Sequence, residues 1–203
     1  MGIIDLIFPK SCLACGRGQN YICGSCLEKV PKIGWHGTNT FSVWKYAGVI
    51  RKAVISLKYK YSTEIAKEIA THAVKRLKSS NLEVKDAVLV PIPLYWKRQN
   101  LRGFNQSVEI GKLIAKEMNW RFVSDLLLKK KQTKSQVELK GGERMKNLKG
   151  VFEVNPAYDP KEIKNKTLII FDDVYTTGST LKEAVEILKT NRLKQTYGLT
   201  IAR

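Results

Sequence analysis

The sequence has few acidic residues and almost no histidine. Its 203 residues include 18 Asp and Glu against 36 Lys and Arg, a formal net charge of +18, and two histidines, His36 and His72. We expect neither histidine to bind a ligand, since His36 lies in a glycine-containing linker and His72 lies outside the apolar stripe of a helix. The positive charge is spread along the chain and favours polyanionic partners such as nucleic acid, a pyrophosphate or an anionic membrane surface. A solvated lysine-rich surface explains the charge equally well.

Long apolar runs are also missing. No stretch approaches 18 consecutive apolar residues, which argues against a membrane-spanning helix. The opening residues, MGIIDLIFPK, are interrupted by Asp5 and lack the basic start and small-residue cleavage site of a secretory signal. With 43% hydrophobic and 27% charged residues, the composition is that of a globular protein. We therefore expect a cytoplasmic protein, with peripheral membrane association as an open alternative.

Cysteine is confined to one window near the start of the chain. Two C-x2-C pairs, separated by seven residues, are formed by Cys12, Cys15, Cys23 and Cys26. This spacing is typical of a four-thiolate structural zinc site, and Gly16 and Gly24 follow cysteines where tight turns are needed. Disulfides would require an oxidising compartment, and a redox C-x2-C would leave the other pair unexplained. We predict a closed, non-catalytic zinc site that stabilises a unit too small to build its own core.

Two common nucleotide-binding motifs are absent from residues 168–180, LIIFDDVYTTGST: the Walker A lysine and the three-glycine dinucleotide fingerprint. The order of residues 168–180 instead predicts a buried strand, an acid pair at Asp172 and Asp173, a hydroxyl-and-glycine loop and a helix. Loop N–H groups and a helix N-terminus can bind phosphate, while carboxylates can accept hydrogen bonds from vicinal sugar hydroxyls. The stretch therefore predicts a sugar-phosphate site. An ordinary strand and polar turn is the weaker alternative, because adjacent buried acids are costly unless used.

Strands and helices alternate along the rest of the chain. Thr180 and Glu183 fit a capping box, and the helix after it has its apolar face at Leu181, Ala184, Val185 and Leu188. The alternation predicts an α/β domain with a mainly parallel sheet flanked by helices. We expect a zinc-binding unit over residues 1–35 and the α/β domain over 41–203. Within these limits we expect a linker at 27–40, helices at 49–59, 63–78 and up to Met118, and strands at 41–46, 87–93, 122–127 and 197–203.

The string DDVYTTGST, residues 172–180, resembles the phosphoribosyl pyrophosphate (PRPP) motif of type I phosphoribosyltransferases. The resemblance implies a type I phosphoribosyltransferase-like fold, in which Asp172 and Asp173 contact the ribose hydroxyls directly or through water bound to Mg²⁺. The 5-phosphate would be bound by Thr176, Thr177, Gly178, Ser179 and Thr180. Family members that act on oxopurines carry a third acid where this chain has Thr176, which disfavours that reaction here.

Residues 91–107, PIPLYWKRQNLRGFNQS, narrow the resemblance. RGFNQ at 102–106 is similar to a signature of the ComF family, whose members join an N-terminal four-cysteine zinc motif to a phosphoribosyltransferase-type domain. The match continues in Leu57-Lys58-Tyr59, Gln136, Arg144, Asn147 and Gly150-Val151-Phe152. In the type I family the pyrophosphate loop follows the strand that ends here at 91–93. The resemblance therefore makes Lys58, Arg98 and Arg102 candidates for binding pyrophosphate.

ComF-like proteins act in natural competence, where single-stranded DNA enters the bacterial cytoplasm. The resemblance implies that this chain binds PRPP and single-stranded DNA, with a competence helicase or the translocation machinery as a further partner. Basic and aromatic side chains that could track phosphates and stack on bases are Tyr95, Trp96, Lys97, Arg98 and Arg102. The alternatives are a salvage phosphoribosyltransferase, which would be a pentosyl transferase, and a PRPP-sensing regulator without turnover.

Overall fold

The computed structural model describes residues 10–37, 39–59, 62–80, 84–95, 103–130, 150–163, 165–191, 193 and 195–203. Within them the helices are α1 (Gly24–Glu28), α2 (Gly48–Tyr59), α3 (Thr63–Ser79), α4 (Gln106–Met118), α5 (Pro160–Ile163) and α6 (Ser179–Thr190). The strands are β1 (Lys32–His36), β2 (Thr40–Trp44), β3 (Ala87–Pro91), β4 (Arg121–Phe122), β5 (Leu127–Lys129), β6 (Phe152–Val154), β7 (Thr167–Val174) and β8 (Thr196–Ala202). None of the described helices is both long enough and apolar enough to cross a membrane.

Six of these strands form one sheet, in the order β1-β2-β8-β7-β3-β4. All neighbours in it are parallel except β1 and β2, which are antiparallel, and β5 and β6 form a separate antiparallel pair. Because parallel strands point the same way, β2, β3, β7 and β8 all end at one edge of the sheet. That edge is where ligands bind in open α/β sheets.

The alternation of side chains along β3 and β7 divides the core into two clusters. Leu89, Ile169 and Phe171 belong to the first cluster, together with the apolar faces of α2, α3 and α4. Val90, Ile170 and their neighbours belong to the second, with the buried face of α6. Both faces of the central strands are therefore covered, which explains why their sequences read as continuous apolar runs.

Most predicted elements are confirmed, with three corrections. The expected linker contains β1, whose residues pair with β2 from Lys32 to His36 as the edge of the main sheet. The expected strand at 122–127 is two strands in different sheets, β4 and β5. The predicted capping box is wrong, because α6 begins at Ser179 with Gly178 as its cap, and Glu183 accepts a hydrogen bond from Gly150 N–H at 2.7 Å.

The cysteine unit packs directly against α3. Cys12 and Ile22 are buried in the first core cluster, and the two carboxylate oxygens of Glu68 accept hydrogen bonds from Tyr21 N–H and Ile22 N–H at 3.1 and 2.7 Å. Lys10 pairs with Glu64 one turn earlier, at 2.6 Å. The unit is thus attached both by apolar contact and by hydrogen bonds to its backbone.

Candidate functional site

Asp172 and Asp173 lie inside β7, close to its end. The strand continues to Val174, with Asp172 paired to Thr200 and Val174 paired to Ala202 in β8. Asp173 is buried and Asp172 is partly buried. The acids therefore lie on the backbone of a strand, at the edge where open α/β sheets bind ligands, and Asp173 precedes the hydroxyl-and-glycine loop that begins at Thr176 by three residues.

Each acid has a partner from a distant part of the chain. Lys58 Nζ, at the end of α2, lies 2.8 Å from Asp173 Oδ2, and both side chains are mostly shielded from water. Ser107 Oγ, in the first turn of α4, donates to Asp172 Oδ1 at 3.1 Å. The same oxygen accepts the backbone N–H of Asp173 at 2.9 Å. The pair is thus held in one orientation by groups from α2, α4 and its own backbone.

The crowding of two acids changes their proton affinity. Burial raises the pKa of the Asp172 carboxyl from 3.8 to about 7, and the charge of Asp173 adds to the rise. Burial would lower the pKa of Lys58, but attraction to Asp173 outweighs it, so that this pKa lies above 10.5. At neutral pH the Asp172 carboxyl can therefore either accept a hydrogen bond or donate one.

The loop after β7 turns at Gly178. This residue has φ +74°, in the left-handed region that glycine tolerates best, and it caps α6. Thr177 Oγ1 and Ser179 Oγ lie 2.7 Å apart, and Ser179 N–H is directed at Thr177 Oγ1 at 3.4 Å. Hydroxyls and the amides of a helix N-terminus are thereby brought together four to six residues after Asp173, an arrangement that can bind a phosphate.

The segment after β3 also starts and returns beside the acids. Ile92 N–H donates to Phe171 O at 2.8 Å, and Asn105 Nδ2 donates to Ile92 O at 3.0 Å. Asn105 also caps α4 by accepting Ser107 N–H at 2.9 Å. Tyr95 is partly buried here. The other predicted contacts of this segment, Trp96, Lys97, Arg98 and Arg102, lie outside the described residues, as do Gln136, Arg144 and Asn147.

The four cysteines form a cluster that could hold a metal ion. The sulfurs of Cys12, Cys15, Cys23 and Cys26 all lie within 4.8 Å of one another, and none is disulfide-bonded. Cys15 Sγ and Cys23 Sγ are 3.7 Å apart, against about 3.8 Å expected for two sulfurs bonded tetrahedrally to zinc at ~2.3 Å. Gly16 makes its turn with φ +74° as predicted, whereas Gly24 begins α1.

The cysteines of the cluster differ in their proton affinities. Burial disfavours the thiolate of Cys12, but backbone groups of Cys23, Cys15 and Ala14 outweigh it and lower the pKa to about 6. The neighbouring thiols of Cys15 and Cys23 raise the pKa of Cys26 to about 12. Four sulfurs this close repel one another as thiolates, and a divalent cation would remove that repulsion.

Sequence reasoning missed four residues around the site. Ser107 directly follows the RGFNQ string, which was its only signal. Tyr175 lies inside the recognised motif without an assigned role. His36, predicted to be a linker residue, has its ring centroid 4.7 Å from that of Tyr175, and Arg203 approaches the same ring at 5.5 Å. His36 and Arg203 gave no signal because pairing across the sheet brings them there.

The chain is similar in sequence to known bacterial proteins. The chain is 30% identical over 173 residues to the DNA utilization protein YhgH of Salmonella typhimurium, covering 83% of this chain and 72% of the relative. It is 27% identical over 188 residues to Competence protein F of Haemophilus influenzae, covering 90% and 79%. It is 26% identical over 181 residues to Competence protein ComFC of Bacillus subtilis, covering 87% and 70%.

Residues 105–198 match the family model described as phosphoribosyl transferase domain. The matched region runs from the cap of α4 through the acid pair and the glycine loop into β8. Together with the mainly parallel sheet, this match confirms the predicted fold class, a type I phosphoribosyltransferase-like α/β domain. A four-cysteine cluster that could hold a metal precedes it.

Proposed function

Because the chain belongs to the ComF family of DNA utilization and competence proteins, we propose that it binds PRPP with Mg²⁺ and single-stranded DNA during DNA uptake. Asp172 and Asp173 would contact the ribose hydroxyls, and Thr176 to Thr180 would bind the 5-phosphate. The observation that carries the proposal is the acid pair, braced by Lys58 and Ser107 and followed directly by the Gly178 turn.

The bracing suits a ribose ligand. Buried carboxylates persist only when they are paired or hydrogen-bonded, and Lys58 and Ser107 supply that compensation while holding the acids in place. A ligand hydroxyl can then approach oxygens whose positions are already set, which reduces the ordering cost of binding. Asp172 and Asp173 would help to hold the Mg²⁺ that accompanies PRPP, and the ion would neutralise part of the ligand's negative charge.

The pyrophosphate is assigned to Lys58, which lies beside this pair, and to two arginines outside the described residues. Lys58 already lies at the acids, and the described residues on either side of 96–102 are joined by the Asn105–Ile92 hydrogen bond. Arg98 and Arg102 are the proposed further contacts. The same segment, with Tyr95, Trp96 and Lys97, is the proposed DNA contact, because aromatic side chains can stack on bases while lysine and arginine neutralise phosphates.

The cysteine cluster is proposed to hold structural zinc. Four thiol ligands leave no open coordination position, so the metal would stabilise the fold and would not take part in a reaction. We propose that this unit lies within residues 1–35 of a cytoplasmic protein. The phosphoribosyltransferase-like domain is proposed to cover 41–203, and its sheet also includes β1, Lys32–His36. A competence helicase or the translocation machinery is the protein partner that this role implies.

The decisive experiment is calorimetric titration of PRPP and Mg²⁺ into the zinc-loaded protein, with and without a single-stranded oligonucleotide. We expect saturable binding that the combined Asp172→Asn and Asp173→Asn changes weaken at least 100-fold, since each removes a charge-assisted hydrogen bond worth about 1.5–3 kcal/mol. A matched control is Asp125→Asn. Asp125 is an exposed acid just before β5, and its carboxylate accepts a hydrogen bond from the Tyr158 hydroxyl. Absence of PRPP binding in the wild-type protein would refute the proposal.

A shift in PRPP affinity with the oligonucleotide would connect the two ligands. The DNA contact is tested separately by neutralising Lys97, Arg98 and Arg102 together. We expect weaker, less salt-dependent DNA binding, because fewer counterions are released. DNA binding that is unchanged by this triple substitution would remove the segment from the proposal.

The match to a phosphoribosyl transferase domain favours a second candidate, a salvage enzyme that transfers the 5-phosphoribosyl group of PRPP to a nucleobase. It would release pyrophosphate from PRPP in the presence of an acceptor base, and Asp173→Asn would abolish the release. PRPP binding with neither DNA binding nor pyrophosphate release would instead identify a sensor. Transfer to an oxopurine is the least expected outcome, because Thr176 stands where a third acid is needed.

A further inference from the structure

Tyr175 is the one large side chain in the loop region that the ligand assignments leave without a role. It follows β7 directly, and its N–H donates to Ala202 O at 2.7 Å, so that its backbone still belongs to the sheet. The side chain is partly buried against the second core cluster. The backbone from which the ring extends is therefore fixed by the sheet, and the loop begins directly after it.

The far end of the ring lies against Gly178. A Cβ atom at Gly178 would stand 2.2 Å from Tyr175 Oη and 2.4 Å from Cζ, closer than any real contact. The tyrosine thus occupies the space in which a side chain at residue 178 would lie. The loop from Thr176 to Thr180 bends around the tip of this ring.

The ring is held from two sides by residues of other strands. The His36 ring meets it edge-on, with centroids 4.7 Å apart and planes at 80°. The Arg203 guanidinium lies 5.5 Å from the ring centroid, within the range of a cation–π contact. Contacts of these two kinds constrain the orientation of the ring as well as its position.

Both supports are themselves anchored in the sheet. His36 Nε2 and Ser42 Oγ are 2.6 Å apart, and Ser42 Oγ and Thr200 Oγ1 are 2.7 Å apart, with the two hydroxyl residues fully buried. Arg203 N–H donates to Trp44 O at 3.0 Å. A row of polar side chains across β1, β2 and β8 therefore ends at the Tyr175 ring.

We propose that Tyr175 is a positioning residue for the phosphate loop and that His36 and Arg203 hold it in place. The inference rests on the proposed function of Thr176 to Thr180 as the 5-phosphate site. With the ring present, the loop is built around a rigid support, and its amides and hydroxyls are arranged before the ligand arrives. Without the ring, phosphate binding would have to order the loop, and affinity would fall accordingly.

The test uses the full-length, metal-loaded chain and two independent readouts. Hydrogen exchange of the peptide containing residues 176–180 reports loop order without ligand, and titration with PRPP and Mg²⁺ reports binding. We expect Tyr175→Ala to speed loop exchange and weaken PRPP binding at least tenfold, while Tyr175→Phe stays within about twofold of wild type in both. His36→Ala and Arg203→Ala should each give a smaller change in the same direction.

Tyr158 supplies the matched control. It is also a tyrosine packed partly against the second core cluster, but it bonds Asp125 through its hydroxyl and does not belong to the loop. Tyr158→Ala should therefore lower stability while leaving loop exchange and PRPP affinity unchanged. An equal loss in both alanine variants would reduce the effect of Tyr175 to general destabilisation and overturn the proposal.

The remaining outcomes are also decisive. Unchanged loop exchange in Tyr175→Ala would refute the positioning role, and so would a Tyr175→Phe variant that behaves like the alanine variant. If Tyr175→Ala does not fold, His36→Ala and Arg203→Ala carry the test, and unchanged loop exchange in both refutes it. If the predicted exchange pattern is found but wild-type protein does not bind PRPP, the positioning role stands and the proposed function fails.

Discussion

The cysteine cluster and the acid-and-loop site differ in how far apart their components lie along the chain. All four sulfurs come from residues 12–26, whereas the acids at 172 and 173 are braced by Lys58 and Ser107, and the loop support is held by His36 and Arg203. The cluster is therefore assembled mostly by local turns. The site exists only once the sheet is complete, so it should be more sensitive to changes that leave the rest of the fold intact.

The largest effect is expected from Cys12→Ser, or from removing the proposed structural zinc with a chelator. Cys12 is 3% exposed and shares the first core cluster with Ile22, so that loss of the cluster should spread into the α/β domain. Structural zinc contributes an apparent ~10–16 kcal/mol in small domains, comparable to the whole stability of a typical domain. Metal content and thermal unfolding of the full chain would measure it.

Lys29→Ala is the control, because this exposed residue lies beside the cluster without being a ligand. A metal-free Cys12→Ser protein with an unchanged unfolding midpoint would contradict the prediction. It would also mean that the cysteine unit contributes little to the stability of the α/β domain against which it packs.

The second prediction compares two glycines with the same backbone angle. Gly178 and Gly103 both have φ +74°, but a Cβ at Gly103 would have no neighbour within 4 Å among the residues that the structure describes. Gly103→Ala should lower the free energy of unfolding by about 1–2 kcal/mol, because alanine is strained in the left-handed conformation. Gly178→Ala should cost more, because it also collides with Tyr175.

Urea unfolding of both variants would measure the difference. Adding Tyr175→Ala to Gly178→Ala should recover part of the extra cost, since the collision is then removed. Equal costs for the two single glycine variants would show that the ring moves aside easily, which would weaken the contrast between a rigid site and its surroundings.

The third prediction concerns pH. The folded-state pKa of Asp172 is raised from 3.8 to about 7, so the folded protein binds this proton more tightly than the unfolded chain. The resulting stabilisation is fully present below pH 3.8 and is lost as pH rises through about 7. Between pH 5 and pH 8 the wild type should therefore lose stability relative to Asp172→Asn.

Urea midpoints of the two proteins at these pH values would test the shift. Ser107→Ala serves as a comparison, because it removes a hydrogen bond from Asp172 without removing the acid. A pH dependence that is identical in wild type and Asp172→Asn would show that Asp172 does not titrate in this window.

A smaller effect than that of Cys12→Ser is expected where the cysteine unit is joined to α3. Glu68→Gln disturbs two hydrogen bonds from the backbone of the cysteine unit and should cost about 1–3 kcal/mol, in the range for bonds to a charged group. Glu64→Gln loses only pairs with Lys10 and Lys67 and should cost less. Thermal unfolding should rank them in that order, and the reverse order would show that side-chain pairing, not backbone anchoring, attaches the unit.

Much of the fold could be predicted because its signals are local. The apolar stripes of α2 and α3 and the continuous apolar run of β7 each follow from the burial of one face or both faces of a regular element. β1 was missed because Lys32–His36 contains a glycine and two largely exposed apolar residues, Ile33 and Trp35. Only its pairing with β2 makes it a strand.

The helix cap after the loop was also misjudged for a physical reason. Thr180 and Glu183 have the spacing of a capping box, but the helix starts earlier and Glu183 bonds Gly150 N–H from another part of the chain. The Glu183 carboxylate thus accepts a hydrogen bond from a residue distant in sequence and does not cap its own helix. Caps predicted from spacing alone are open to this kind of competition.

Local spacing along the chain decides which groups meet within short loops: the four cysteines, and the acids, hydroxyls and glycine from Asp172 to Thr180. Adjacent residues cannot move far apart, so spacing is enough to predict such sites. Tertiary structure decided that Lys58 neutralises Asp173, that burial raises the pKa of Asp172, and that His36 and Arg203 meet at Tyr175. A parallel sheet brings strand ends from distant segments to one edge. The sequence pattern of one segment therefore cannot predict which residues the other segments contribute there.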